Sequence, residues 1–199
     1  AFIGGNTVNQ NGDPIEVGGV LEALSAISVS GGAHASGKSV YVQGGSELVV
    51  HDPGGSINLT AAEHTDIQGW LVAGGELAGD SLNRTPTYYA GQSTIAIQAG
   101  YQIKLGRSLH AGQQIDLVGG SDPDTGAGIV LFGSLQLSTS ADDSQINLNA
   151  PGQIRILAPS QGNDYAIYAP GAGSVVNLGR ATADNDLIYI AGKVLGHSA

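Results

Sequence analysis

The chain has 199 residues, of which 32 are glycine and none is cysteine or methionine, and its 7 Lys and Arg residues stand against 17 Asp and Glu residues. The glycines follow no three-residue period, which excludes collagen, and the lack of cysteine excludes a disulfide scaffold, a thiolate metal site and a cysteine nucleophile. A formal charge of −10 makes nucleic acid a poor partner, and no apolar run reaches the roughly 18–20 residues of a membrane-spanning helix.

Short apolar–polar–apolar triplets are the predicted elements. Residues 1–37 are expected to form irregular first coils, within which the Val20–Ile27 stretch is compatible with a helical turn or with a strand. From residue 38 onward the alternation predicts strands, because successive side chains of a strand point to opposite faces. In chain order the triplets begin at Val40, Ile57, Ile95, Ile115, Ile146 and Val176.

The triplets recur with a period near 20 residues. The step of 38 residues from Ile57 to Ile95 equals two steps of 19, with Leu77 at the intermediate position. Later steps of 30 and 31 residues become about 20 when loop insertions near 119–128 and 159–164 are set aside. A repeat of this length is typical of a solenoid.

Each period subdivides into about three short strands separated by glycine corners, and residues 95–114 are an example. Glycine suits such corners because it adopts the positive φ values of tight bends. We therefore predict an all-β fold, a right-handed parallel β-helix that occupies residues 38–199. An antiparallel β-sandwich is the alternative, although its strands usually run to about five or six residues.

Three segments also carry a family resemblance. They are SINLTAA at 56–62, STIAIQAG at 93–100 and GQIRILAP at 152–159. These segments resemble the repeats of filamentous-haemagglutinin-type bacterial exoproteins. The resemblance implies a large secreted, rod-like β-helix that acts as an adhesin or surface fibre. Because the chain has no Asn-Pro-Asn-type secretion motif, the resemblance implies the shaft of such a protein and not its export domain.

The middle residue of each triplet is expected to point outward and to form a row along one face. These residues are Tyr41, Asn58, Ala96, Asp116, Asn147 and Asn177. One interpretation is a shallow groove for a sugar chain, with Asn58, Asp116, Asn147 and Asn177 as binding residues. The other, which we favour, is that the Asn and Asp side chains keep the face soluble and hydrogen-bond between neighbouring coils.

Acidic pairs in loops are the candidate metal ligands. Asp122 and Asp124 form one pair and Asp184 and Asp186 another, and carboxylates two residues apart offer the oxygen ligands that Ca²⁺ prefers. Calcium is the one cofactor that the sequence suggests. Glycoside hydrolysis needs two carboxyl groups about 5–10 Å apart, and the outward row has Asn at the position that follows Asp116, so we expect no enzymatic activity.

The sequence therefore predicts a structural or adhesive segment of an extracellular or cell-surface bacterial fibre. The first residues, 1–5, and the last strand, 187–190, are apolar and carry no polar cap. This predicts end-to-end self-association or covalent continuation of a longer rod. A host or matrix glycan is the other expected partner. The alternative function is a carbohydrate-binding or polysaccharide-degrading β-helix module.

Overall fold

The structure is a computed structural model that describes residues 15–33, 37–78, 85–89, 91–133, 135–157, 165–180 and 188–196. These residues form twenty-two strands and no helix. The strands are β1 (Ile15–Val17), β2 (Val20–Ala23), β3 (Ala26–Gly31), β4 (Lys38–Val42), β5 (Glu47–Val50), β6 (Ser56–Ala61), β7 (His64–Ile67), β8 (Trp70–Ala73), β9 (Gly75–Ala78), β10 (Thr85–Tyr88), β11 (Thr94–Ala99), β12 (Ile103–Leu105), β13 (Leu109–Ala111), β14 (Gln114–Val118), β15 (Ala127–Leu131), β16 (Leu137–Thr139), β17 (Gln145–Ala150), β18 (Gln153–Ile156), β19 (Ile167–Ala169), β20 (Val175–Arg180), β21 (Ile188–Ile190) and β22 (Val194–Gly196).

Three parallel sheets form the walls of the molecule. The first sheet has the order β1-β4-β7-β12-β15-β18-β21, the second β2-β5-β8-β13-β16-β19-β22, and the third β3-β6-β11-β14-β17-β20. The chain contributes one strand to each sheet in turn, so six complete coils run from β1 to β20, and β21 and β22 belong to a seventh. The predicted all-β, parallel β-helical fold is confirmed.

The core lies between the three sheets and is built from ladders of similar apolar residues. The best-aligned ladder belongs to the third sheet and consists of Ile27, Ile57, Ile95, Ile115, Ile146 and Val176. Its first five members are at most 4% exposed. β-Branched side chains pack well on a pleated sheet, and burial of each stabilises the fold by roughly 1.5–3 kcal/mol. Each coil thus contributes its own share of the core.

Glycine is required at the corner that follows the third sheet. A Cβ atom on Gly120 would lie 1.8 Å from the Gly100 carbonyl oxygen, and one on Gly100 would lie 2.0 Å from the Ala62 carbonyl oxygen. Successive coils therefore approach each other at this corner more closely than any side chain allows.

Coil lengths vary because residues are inserted between the strands. The 20-residue coil is seen without an insertion between Ile95 and Ile115, which are direct partners in the third sheet. Residues 119–126 form the expected loop between β14 and β15. The loop expected near 159–164 lies outside the described residues.

Two segments had been assigned to the wrong place in the 20-residue repeat. The triplet Val40–Val42 lies in the first sheet, where it pairs with Ile15–Val17. Its expected place in the third sheet, beside Ile57, is taken by Ile27. The alternation is the same on every side of the helix, so a triplet alone does not reveal which sheet it joins.

Leu77 is not the intermediate position of a hidden coil. It lies in β9, which pairs antiparallel with β10 outside the three parallel sheets. Ile57 and Ile95 are direct neighbours in the third sheet. The 38-residue step is therefore a single coil that carries a β-hairpin.

The described part of the N-terminal segment differs from the irregular coil expected for residues 1–37. Residues 15–31 form β1, β2 and β3, which pair in parallel with β4, β5 and β6. The Val20–Ile27 stretch, which was compatible with a helical turn or a strand, belongs to β2, the turn after it and the start of β3. Alternate burial along β3 explains this, since Ile27 and Val29 are buried and Ser28 is exposed.

Candidate functional site

The outer face of the third sheet carries the predicted polar row. Strand register places its members in one line, with Ser28 at the position that had been expected for Tyr41. In order along the sheet they are Ser28, Asn58, Ala96, Asp116, Asn147 and Asn177. Tyr41 lies on the first sheet, because its strand belongs there.

The amide and carboxylate groups of this row bind one another between coils. Asn147 Nδ2 donates to Asp116 Oδ1 at 2.7 Å, and Asn177 Nδ2 donates to Asn147 Oδ1 at 2.7 Å. Asp116 Oδ2 also accepts a hydrogen bond from Gln114 Nε2 at 2.6 Å. Ala96 interrupts this chain of bonds, and Asn58 donates to Ser56 Oγ on its own strand instead. The geometry at Asp116, Asn147 and Asn177 favours an inter-coil role.

Asp122 organises the loop between β14 and β15. Its Oδ1 accepts hydrogen bonds from the backbone N–H of Asp124 at 3.0 Å, from the backbone N–H of Thr125 at 2.6 Å and from Thr125 Oγ1 at 2.8 Å. Its Oδ2 lies 3.4 Å from His64 Nε2 on β7. The carboxylate therefore stabilises its own turn and contacts β7, which lies two strands from β15 in the first sheet.

Two opposing effects set the pKa of the Asp122 carboxyl. Burial raises it, whereas hydrogen bonds from Thr125 and Asp124 and the neighbouring His64 lower it, and the net result lies below the ordinary value of 3.8. Hydrogen bonds to the ionised form are the cause, because the donors stabilise the negative charge.

The predicted calcium ligands are not brought together in a larger cluster within the part of the chain that the structure describes. Asp124 is exposed, and Asp184 and Asp186 lie outside the described residues. Among the described residues no group of three or more His, Asp or Glu side chains is placed to hold a metal ion. Calcium binding at Asp122 and Asp124 stays a prediction.

The outer face of the first sheet carries a cluster of charged groups that the sequence analysis did not single out. A cleft of about 240 Å³ opens on this face across β4, β7 and β12. It is lined by Lys38, His64, Thr65, Asp66, Gln102 and Lys104. The outward row of this sheet, in register order, is Glu16, Tyr41, Asp66, Lys104, Val130, Arg155 and Tyr189.

Asp66 lies at the centre of the cleft and is held from two sides. Lys38 Nζ lies 3.6 Å from its Oδ2, and Gln68 Nε2 donates to its Oδ1 at 2.6 Å. On the neighbouring coil, Lys104 Nζ lies 5.0 Å from the ring centroid of Phe132. These contacts fix a carboxylate and two ammonium groups on adjacent strands of one sheet.

The middle of the outer face of the second sheet is covered by protein. Val49 and Val72 occupy outward positions but are 2% and 0% exposed, because the β9–β10 hairpin contacts this sheet. Beside them His110 stacks on Trp70 at 5.8 Å between ring centroids and forms a hydrogen bond with Ser138 Oγ. Burial lowers the pKa of His110 to about 3. The imidazole is therefore neutral near pH 7 and packs as part of this covered face.

Comparisons with known proteins give no match of any kind: no family model, no curated protein and no solved structure matches this chain. In the described residues there is also no helix with the length and apolar character needed to cross a membrane.

The inter-coil role of the polar row predicts that Asn147→Ala lowers the free energy of unfolding by about 1–2 kcal/mol, because one acceptor and one donor lose their partner. Asn149→Ala is the matched control, since Asn149 is exposed two residues further along the same strand. Urea denaturation followed by circular dichroism measures both. Equal, small effects of the two substitutions would contradict the inter-coil role.

The turn role of Asp122 predicts that Asp122→Ala destabilises the protein at pH 7 by about 1–3 kcal/mol, whereas Asp124→Ala has little effect. Since the pKa of Asp122 is lower in the folded state than in the unfolded state, its contribution is complete above about pH 4. It is lost as the pH falls through the folded-state pKa. Urea midpoints at pH 7 and pH 3 should show the deficit shrinking at the lower pH. A deficit that stays the same at both would contradict this account.

Proposed function

We propose that the chain is a rigid structural or adhesive segment of an extracellular or cell-surface fibre. The observation that carries the proposal is the continuity of the three parallel sheets, which run from the first described coil to the last, with local register shifts in the first sheet at β4 and β15. In such a helix the hydrogen bonds between strands point along the long axis, so each added coil extends the rod by about 4.8 Å.

The C-terminal end of the described helix presents apolar side chains. Ile188 and Ile190 are partners of Ile154 and Ile156, which are fully buried in the core. Yet Ile188 is 36% exposed and Ile190 is 45% exposed. A further coil stacked on β21 would bury these two side chains as β21 buries those of β18.

The opposite end offers a complementary surface. Strands β1, β2 and β3 are the edge strands there within the described residues, and the core-facing side chains of Ile15, Val17 and Leu21 are only partly buried. Unpaired parallel edges with apolar side chains are templates for the pairing of another chain. The two ends therefore favour stacking of copies, or of neighbouring segments of a longer rod.

The composition supports an extracellular location for this rod. The chain contains no cysteine and no methionine, which are the side chains that oxidation alters most readily. The resemblance of its repeats to those of filamentous-haemagglutinin-type exoproteins supports the adhesive role. We propose a mechanical and multivalent function and no enzymatic one.

Concentration-dependent assembly tests the proposal. Sedimentation velocity and negative-stain electron microscopy of the purified chain should show rods that lengthen as concentration rises. Ile190→Lys should suppress this growth by placing a charge at the stacking surface. Val118→Lys is the matched control, because Val118 is 44% exposed on a side face and should leave assembly unchanged.

Two results would contradict the fibre proposal. One is a wild-type chain that sediments as compact monomers across the whole concentration range. The other is equal loss of assembly in the two lysine variants, since this would place the contact on the side faces and not at the ends.

A further inference from the structure

We propose that the cleft on the first sheet binds an acidic sugar, a saccharide unit that carries a carboxylate. This binding goes beyond the fibre role and does not depend on end-to-end assembly. The cleft combines ammonium groups for the carboxylate with carboxylate and amide groups for hydroxyls, which is the mixture of donors and acceptors that such a ligand presents.

The distribution of positive charge is the first argument. The chain has only 7 Lys and Arg residues and a formal charge of −10, so most of its surface repels anions. Two of the seven, Lys38 and Lys104, line the cleft, and Arg155 stands two strands beyond Lys104 in the same outward row. A carboxylate group is therefore attracted to this face of an otherwise acidic protein.

The two lysines of the cleft differ in their surroundings. Lys38 forms an ion pair with Asp66. Lys104 is exposed and contacts the ring of Phe132, but it forms no ion pair with a described residue. The Lys104 ammonium group therefore has charge available for an incoming carboxylate, and the flanking ring restricts its position.

Asp66 decides which anions fit. A bare anion beside Lys104 would also lie near the Asp66 carboxylate, which repels it. The carboxylate of an acidic sugar meets the same repulsion beside Lys104, but the hydroxyls of the sugar offset it by donating hydrogen bonds to Asp66. Each carboxylate oxygen of Asp66 has two lone pairs, so bonds to Lys38 and Gln68 leave acceptor capacity for hydroxyls.

The rim and size of the cleft fit one sugar ring. Tyr101, which is 37% exposed, contacts the ring of His64 at 5.3 Å between centroids and precedes the lining residue Gln102. An exposed aromatic ring offers an apolar surface to the C–H face of a sugar. The volume of about 240 Å³ lies below the roughly 300–1,000 Å³ of pockets that enclose drug-sized ligands.

Isothermal titration calorimetry of the full chain with three probes tests the inference. The probes are trigalacturonate, its methyl ester, which keeps the hydroxyls but loses the charge, and acetate, which keeps the charge but has no hydroxyls. We expect trigalacturonate to bind at least about tenfold more tightly than either of the others. Only trigalacturonate offers both a carboxylate to the ammonium groups and hydroxyls to Asp66.

Two substitutions locate the site. Lys104→Gln should weaken trigalacturonate binding about tenfold, whereas Arg107→Gln, which removes the same charge from an exposed residue outside the cleft, should leave it unchanged. Asp66→Asn should weaken trigalacturonate binding but not acetate binding, since it replaces one of the two acceptor oxygens for hydroxyls with an NH2 donor and removes the charge that repels bare anions.

Four outcomes would overturn the inference. They are the absence of trigalacturonate binding, equal binding of the ester, equal binding of acetate, and equal effects of Lys104→Gln and Arg107→Gln. None of these bears on the fibre proposal, because calorimetry measures the cleft in single molecules and in stacked rods alike.

Discussion

In-register stacking of parallel strands is the constraint on which the rest of this structure depends. Once Ile57 and Ile95 are neighbours in the third sheet, every residue of their strands is paired with a fixed partner. The inward side chains then form continuous apolar ladders, and the outward ones form rows. Because a slip of one residue would turn every apolar side chain outward, the core holds the register of all three sheets.

The same register explains both polar surfaces. On the third sheet it brings Asp116, Asn147 and Asn177 within hydrogen-bonding distance, so side chains far apart in the sequence stabilise adjacent coils. On the first sheet it places Asp66 beside Lys104, and there a cleft remains open. One face thus uses its polar groups internally, while the other has charged groups in an open cleft, where we propose that an acidic sugar binds.

The alternation of apolar and polar residues was sufficient to predict the β-helix and most members of the polar row, because each triplet reports local strand geometry. It was not sufficient to place Val40–Val42 or Leu77, since triplets look alike on every sheet and a hairpin can lengthen a coil. The charged cleft could not be predicted, because Lys38, Asp66 and Lys104 are 28 and 38 residues apart. Their meeting depends on coil lengths that only the register reveals.

A distance between two spin labels tests the stacked register most directly. The chain has no cysteine, so Ser28→Cys with Asn177→Cys gives one pair of labelling sites at the two ends of the outward row. Five strand steps separate them, which predicts a narrow distribution centred near about 24 Å. A broad distribution would contradict the account. So would a distribution centred beyond about 35 Å, because six strands at successive spacings of one sheet would not reach that far.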